Sequence, residues 1–169
     1  MRLRRIESTE ELGPALTLAR EFSDWASAHI KAELGIAIPA DEDHSPTVLE
    51  DLLESGRLYV AEVDGEAIGI GALKRLGDEV AEIKRMYVRP SARGLGVGRA
   101  IVQQLIADAR DLGCETLVLE SASFMHSAHA LYRSVGFVPS DSYPGREFAG
   151  APYDMSIFMR LDLAQNGPG

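Results

Sequence analysis

Between Val88 and Arg99 the chain reads Val88-Arg89-Pro90-Ser91-Ala92-Arg93-Gly94-Leu95-Gly96-Val97-Gly98-Arg99, and this stretch restricts the fold more than any other. Strand-forming residues run into Pro90, which cannot donate to a ladder, so a strand ends there. Glycines at alternate positions follow, and then Ile101, Val102, Leu105, Ile106 and Ala109 recur at helical spacing. A strand, a glycine-rich turn and the start of an amphipathic helix therefore come in direct succession. Without Cβ atoms the loop backbone can approach a ligand closely and turn several N–H groups one way. A helix start adds unpaired N–H groups and a partial positive charge. Arg93 and Arg99 can add full charges, and the whole reads as a pyrophosphate site. A nucleotide P-loop needs Gly-Lys-Ser/Thr, which is absent. A dinucleotide fingerprint also fails, because the sixth position is Arg99 counted from Gly94 and Ile101 counted from Gly96. A purely structural glycine turn stays open as the alternative.

The flanking pattern predicts one mixed α/β domain over residues 1–163, with residues 164–169 as a disordered tail. A strand at Leu3–Glu7 precedes Ser8 and Glu11, which have capping-box spacing. Leu12, Leu16, Ala19, Phe22 and Ala26 then mark an amphipathic helix, and Ser45-Pro46 opens a second, short one. Strands at Arg57–Val63 and Glu66–Leu76 flank Asp64-Gly65, a strong hairpin turn. A strand over Val80–Val88, a helix over Gly98–Leu112 and a buried strand over Glu115–Glu120 form a crossover unit. A helix over His126–Val135 closes at Gly136, Pro139–Asp154 reads as a long loop, and a last strand covers Met155–Leu163. Within Val80–Val88 the apolar residues move from odd positions (Ala81, Ile83) to even ones (Met86, Val88). Such a slip is the signature of a β-bulge, unless both faces are simply buried.

Arg93-Gly94-Leu95-Gly96-Val97-Gly98 matches the R/Q-x-x-G-x-G/A signature of the GCN5-related N-acetyltransferase (GNAT) family. Glu82–Pro90 is similar to that family's fourth strand, and Ala130-Leu131-Tyr132-Arg133-Ser134-Val135-Gly136-Phe137 is similar to its last helix and turn. The resemblance covers nearly the whole chain. It implies a GNAT fold: a twisted, mostly antiparallel sheet of about seven strands with one parallel crossover and about four helices. It also implies acetyl-CoA as co-substrate, held by Met86, Tyr87, Val88, Arg93, Gly94, Leu95, Gly96, Val97, Gly98 and Arg99. Under the same resemblance the backbone of Met86 and Val88 binds pantetheine, and the Val88 N–H faces the thioester oxygen.

Acetyl transfer to an amine also needs a proton acceptor for the ammonium and a donor for the departing thiolate. Tyr132 occupies the position of the general acid, with packing behind the coenzyme as the other reading. Glu82 occupies the position of a glutamate base, or else pairs with Lys84 or solvent. Trp25 and His29 either line the acceptor groove or, for Trp25, pack in the core. Many relatives carry Asn where this chain has Met125, so one coenzyme contact differs. His126 and His129 lie one helical turn apart and read as exposed helix residues, and no metal is expected.

The expected acceptor is the primary amine of a small molecule. The alternatives are a non-catalytic acyl-CoA-binding sensor and an acetyltransferase acting on protein N-termini or lysines. A net charge of −9 disfavours nucleic acid and suits a cationic acceptor. No apolar run is long enough for a membrane span, and Cys114, the only cysteine, permits no intramolecular disulfide, which fits a cytoplasmic enzyme. A homodimer is a further expectation from the family.

Overall fold

Asp64 and Gly65 both take positive φ, 52° and 83°, the backbone of the two-residue turn that Asp-Gly favours. In the computed structural model, which describes residues 1–35, 46–144 and 155–164, this turn joins β2 (Gly56–Val63) to β3 (Glu66–Arg75). The remaining elements, in chain order, are β1 (Arg2–Ile6) and α1 (Gly13–Leu34), α2 (Pro46–Ser55), then β4 (Val80–Val88), α3 (Val97–Asp111), β5 (Thr116–Ala122), α4 (His126–Ser134), β6 (Val138–Pro139) and β7 (Ser156–Asp162). Among the described residues seven strands form one sheet in the order β1-β2-β3-β4-β5-β7-β6. β4 and β5 are parallel, with α3 as their crossover, whereas β1 with β2, β5 with β7 and β6 with β7 are antiparallel. The sheet order and the single crossover agree with the expected mixed α/β class.

By contact density the chain forms two compact units. One comprises Met1–Ala72 with Arg85–Ile101, the other Leu73–Lys84 with Val102–Gly169. The core of the first holds Ile6, Leu18, Leu49, Leu58, Ile70 and Tyr87. Its first helix begins later than expected. Thr9–Glu11 form a 3-10 turn, and the Ser8 side chain caps nothing. Glu11 accepts the N–H of Glu7 at 3.0 Å instead of that of Ser8, so the capping box does not form, and Pro14 in the first turn opens α1. The buried stripe of α1 is broader than the expected line: Ala15, Leu18 and Ala19 are buried, while Leu16 and Phe22 are only partly covered. At the far end Gly35 takes φ 66°, and its N–H reaches the Lys31 carbonyl, a left-handed stop.

Gly69 on β3 permits the closest approach in this unit. A Cβ there would stand 3.0 Å from Val97 Cγ1, 3.2 Å from Ile101 Cδ1 and 3.3 Å from the Tyr87 carbonyl oxygen. The first turn of α3 therefore lies directly on the β3 backbone, which places the glycine-rich loop.

In the second unit β5 is the centre. It pairs parallel with β4 (Val80 with Thr116, Ala81 with Leu117, Glu82 with Val118) and antiparallel with β7 from Thr116↔Asp162 to Ala122↔Ser156. Leu117, Val118 and Leu119 are all buried, the continuous apolar run of a strand covered on both faces. β6 lies partly inside the segment expected to be loop: Val138 pairs with Arg160 and Pro139 with Met159. Pro139 is tolerated because β6 is the edge strand. Residues 145–154 of that expected loop, together with 36–45 and 165–169, lie outside the described residues. Ala164, expected in the tail, donates its N–H to Asp162 Oδ1 at 3.0 Å.

The contacts of Gly69 predict that Gly69→Ala lowers stability by about 1–3 kcal/mol in urea unfolding, because a methyl group is forced against a helix and a carbonyl. Gly77→Ala, where an added Cβ meets nothing within 4 Å, is the control and is expected to stay within about 0.5 kcal/mol.

Candidate functional site

The glycine-rich loop belongs to the first unit. Pro90–Ala92 form a 3-10 turn after β4, closed by the Ala92 N–H on the Arg89 carbonyl (2.9 Å) and the Arg93 N–H on the Pro90 carbonyl (3.3 Å). Gly94 and Gly96 then take φ of 80° and 81°, a backbone that L side chains rarely adopt. An added Cβ at either would meet nothing within 4 Å, so conformation, not crowding inside the protein, demands glycine there. Gly98 is different. It sits in the first turn of α3 without a positive φ.

The Ala100 N–H bonds to the Gly96 carbonyl at 3.0 Å and is the first intrahelical donor of α3. The N–H groups of Val97, Gly98 and Arg99 precede it and have no acceptor one turn back in the helix. Arg93 and Arg99 are exposed, and Leu95 is 72% exposed at the loop tip. Open space over two left-handed glycines, a helix start and two exposed guanidinium groups fit the diphosphate of coenzyme A. The loop residues therefore suit the ligand that the resemblance implies.

α1 is held to this loop at two points. Glu21 takes both arms of Arg89 in a bidentate pair at 2.9 and 2.6 Å, and this hydrogen bonding holds the Glu21 carboxyl below the usual carboxylate range. One turn on, the ring of Trp25 lies under Arg93, whose guanidinium carbon is 5.1 Å from the ring centre. Arg93 Nε also donates to the Val88 carbonyl at 3.1 Å. Trp25 stacks 6.3 Å from Phe22, the tilted ring of His29 meets it at 4.3 Å, and Phe22 meets Tyr87 at 5.7 Å. Trp25 is half-buried under a cation, not part of the apolar core.

β4 departs from extended backbone where the sequence places the slip. Arg85 takes φ 55°, a left-handed conformation inside a strand, as at one type of bulge residue. Burial does not change face, however. Arg85 and Tyr87 are buried, while Met86 and Val88 are half-buried, so the even positions carry apolar side chains on a more open face. Burial raises the Tyr87 phenol above its ordinary range, with the Glu21 charge adding to it.

Glu82 and Tyr132 belong to the second unit. Glu82 is 2% exposed, although carboxylates are rarely buried without partners. Tyr143 supplies one: its hydroxyl donates to Glu82 Oε1 at 2.8 Å. Lys84 Nζ lies 3.6 Å from Oε2. The pairing with Lys84 expected as an alternative is thus present, together with a phenol that the sequence does not suggest. Tyr132 is buried against Phe137 at 5.8 Å, and desolvation drives its phenol far above its ordinary range.

His126 is exposed as expected, but His129 is not. It is 4% exposed, with Nε2 3.1 Å from Ser121 Oγ, and burial lowers its pKa. The two rings meet edge-on at 6.1 Å, so the helix turns one inward and leaves the other in water. Met125 stands at the N-cap of α4, where its thioether caps no N–H and instead accepts from Ser121 Oγ at 3.6 Å. Among the described residues no group of three His, Cys, Asp or Glu side chains could hold a metal ion.

The residues missed by sequence reasoning are Tyr143 as a partner of Glu82 and the Glu21–Arg89 and Trp25–Arg93 pairs. Each joins positions more than sixty residues apart, so no local spacing announces it.

Comparison with known proteins agrees with this geometry. A sequence model of the acetyltransferase (GNAT) family matches residues 20–137. The chain is 33% identical over 157 residues to an IAA acetyltransferase of Azospirillum brasilense, covering 89% of this chain and 99% of that protein. It is 32% identical over 140 residues to an aminoglycoside N(6′)-acetyltransferase type 1 of Stenotrophomonas maltophilia, covering 75% and 88% respectively. The fold is similar to that of the PaiA N-acetyltransferase of Thermoplasma acidophilum solved with coenzyme A, with a TM-score of 0.74 at 20% identity over 96% of this chain and 99% of that one. The chain therefore belongs to the acetyltransferase (GNAT) family and is an acetyl-CoA-dependent acyltransferase.

Proposed function

We propose that residues 1–163 act as one catalytic domain that acetylates the primary amine of a small molecule by direct attack within a ternary complex. The observation that carries this reading is the pair of left-handed glycines, Gly94 and Gly96, set before the first turn of α3 and beside Arg93. The loop from Arg93 to Arg99 holds the diphosphate, and the backbone of Met86, Tyr87 and Val88 holds the pantetheine arm. When bound, acetyl-CoA supplies an activated thioester.

Glu82 takes the proton that the ammonium must lose before the amine can attack. Lys84 and Tyr143 keep its carboxylate oriented and partly neutralised where water is scarce. The Val88 N–H is a fixed dipole for the carbonyl oxygen as it gains charge. Tyr132 holds a proton available to the departing sulfur. Because burial raises its pKa, it stays protonated at any working pH but is a weak acid, so its share of the rate is modest.

A covalent acetyl-cysteine route has no support in the chain. Cys114 is the only cysteine, it is 5% exposed, and desolvation raises its pKa, which disfavours the thiolate. The small-molecule acceptor is supported by similarity to the aminoglycoside N(6′)-acetyltransferase and by a net charge of −9, which favours a cation.

A panel of small-molecule amines and peptides, with acetyl-CoA and a readout of released thiol, tests the acceptor class. Turnover with at least one small amine is expected, with intersecting double-reciprocal lines and no effect of Cys114→Ala on kcat. Parallel lines, or turnover with peptides alone, would remove the reading. For Glu82→Gln, kcat is expected to fall about 100-fold while coenzyme A affinity by calorimetry stays constant. A kcat within twofold of wild type would make water the base.

Tyr132→Phe is expected to lower kcat by about tenfold or less at unchanged KM for acetyl-CoA. The raised pKa has a definite sign: the neutral phenol persists beyond its ordinary titration range. Ionisation of Tyr132 therefore contributes no alkaline loss of kcat below about pH 10, the unperturbed value. A wild-type decline at pH 8–9 that Tyr132→Phe abolishes would contradict this.

A further inference from the structure

Arg93 is exposed, and a free arginine on a loop has many rotamers to lose when it grips an anion. Its guanidinium is nevertheless located by two contacts of different kinds. Nε donates to the Val88 carbonyl at 3.1 Å, which fixes one edge, and the guanidinium carbon sits over the Trp25 ring, 5.1 Å from its centre. These contacts consume neither Nη group, and among the described residues no hydrogen bond from them is found. Trp25 is itself held: Phe22 stacks on it and the tilted ring of His29 lies against it on α1, and one turn earlier Glu21 locks the helix to Arg89. Glu21 and Trp25 are spaced to share a helix face, and Arg89 and Arg93 bracket the 3-10 turn at Pro90–Ala92. Two arginines of one loop are thus seated on two residues of one helix.

We infer that Trp25 is a positioning residue for coenzyme binding, which pre-orients the Arg93 guanidinium so that its Nη groups are offered to the diphosphate. The inference rests on the coenzyme site proposed above. The ring does not touch the coenzyme in this account. It acts through Arg93, and its contribution is confined to donors that carry a diphosphate. A lysine at position 93 could not replace the arginine, because an ammonium has no plane for the ring to fix.

Calorimetry with coenzyme A on wild type, Trp25→Leu, Trp25→Phe, Arg93→Ala and the Trp25→Leu/Arg93→Ala double variant tests this. Trp25→Leu is expected to weaken coenzyme A about threefold to tenfold, and Trp25→Phe by about twofold or less. In the Arg93→Ala background Trp25→Leu is expected to cost nothing further. In turnover, Trp25→Leu raises KM for acetyl-CoA at unchanged kcat and leaves kcat/KM for S-acetylpantetheine, which lacks the diphosphate, as in wild type. Trp25 is also the only tryptophan, so its emission is expected to shift when wild type is saturated with coenzyme A.

An equal penalty with and without Arg93, an equal loss with S-acetylpantetheine, or an emission indifferent to coenzyme A would overturn the inference. If Trp25→Leu does not fold, Trp25→Phe and the wild-type emission still decide it. Absence of coenzyme A binding to wild type would instead overturn the coenzyme site itself.

Discussion

A helix cannot pair the N–H groups of its own first turn, and the coenzyme site proposed for this chain is arranged around that deficit at α3. The donors from Val97 to Arg99 precede the first intrahelical bond, from Ala100 to the Gly96 carbonyl. Gly94 and Gly96 bring the backbone to that point through left-handed conformations. Gly69 lets the same turn lie against β3 at a distance where an added Cβ would press on Val97, Ile101 and the Tyr87 carbonyl. The partial positive charge is thereby held at a defined place, and Arg93, seated on Trp25 and the Val88 carbonyl, adds a full charge with a defined orientation. What a ligand finds there is prepaid order: backbone dipoles and a guanidinium plane that need little rearrangement.

The second unit solves a different problem, which is to keep a carboxylate in a buried place. Glu82 is nearly inaccessible, and burial of that kind is tolerated only with partners. Tyr143 and Lys84 provide a hydrogen bond and a charge. Tyr132 is buried too, and desolvation drives its phenol strongly towards the neutral form. The contrast gives each group its proposed part. One carboxylate has a phenol and an ammonium beside it, and one phenol is kept protonated by burial alone.

Local patterns in the chain foretold elements well where the pattern was itself the cause. Asp64-Gly65 forms a hairpin turn because those residue types accept the positive φ the turn needs, and β4 ends at Pro90 because proline cannot continue a ladder. The even-position apolar residues of β4 pointed to an irregularity, and Arg85 is left-handed there, although the burial pattern itself does not slip. Patterns misled where a partner other than the expected one competed for the same group. Glu11 has capping-box spacing, yet it reaches the Glu7 N–H because Thr9–Glu11 tighten into a 3-10 turn. His129 has the spacing of a surface residue, yet α4 turns it inward to Ser121. Pro139 opens the segment expected to be loop, yet β7 offers it an edge to pair with.

The order of the main strands and helices, the mixed α/β class and the glycine-rich turn between β4 and α3 were legible in the sequence alone. Each of these follows from periodicity, from proline and glycine, and from charges within a dozen residues of one another. Tertiary structure alone decided which side chains stand guard over those features. Tyr143 meets Glu82, Glu21 meets Arg89, and Trp25 meets Arg93 across separations of more than sixty residues. No local spacing encodes such pairs, because they depend on how packed elements bring distant backbone together and on which polar groups would otherwise be buried without a partner.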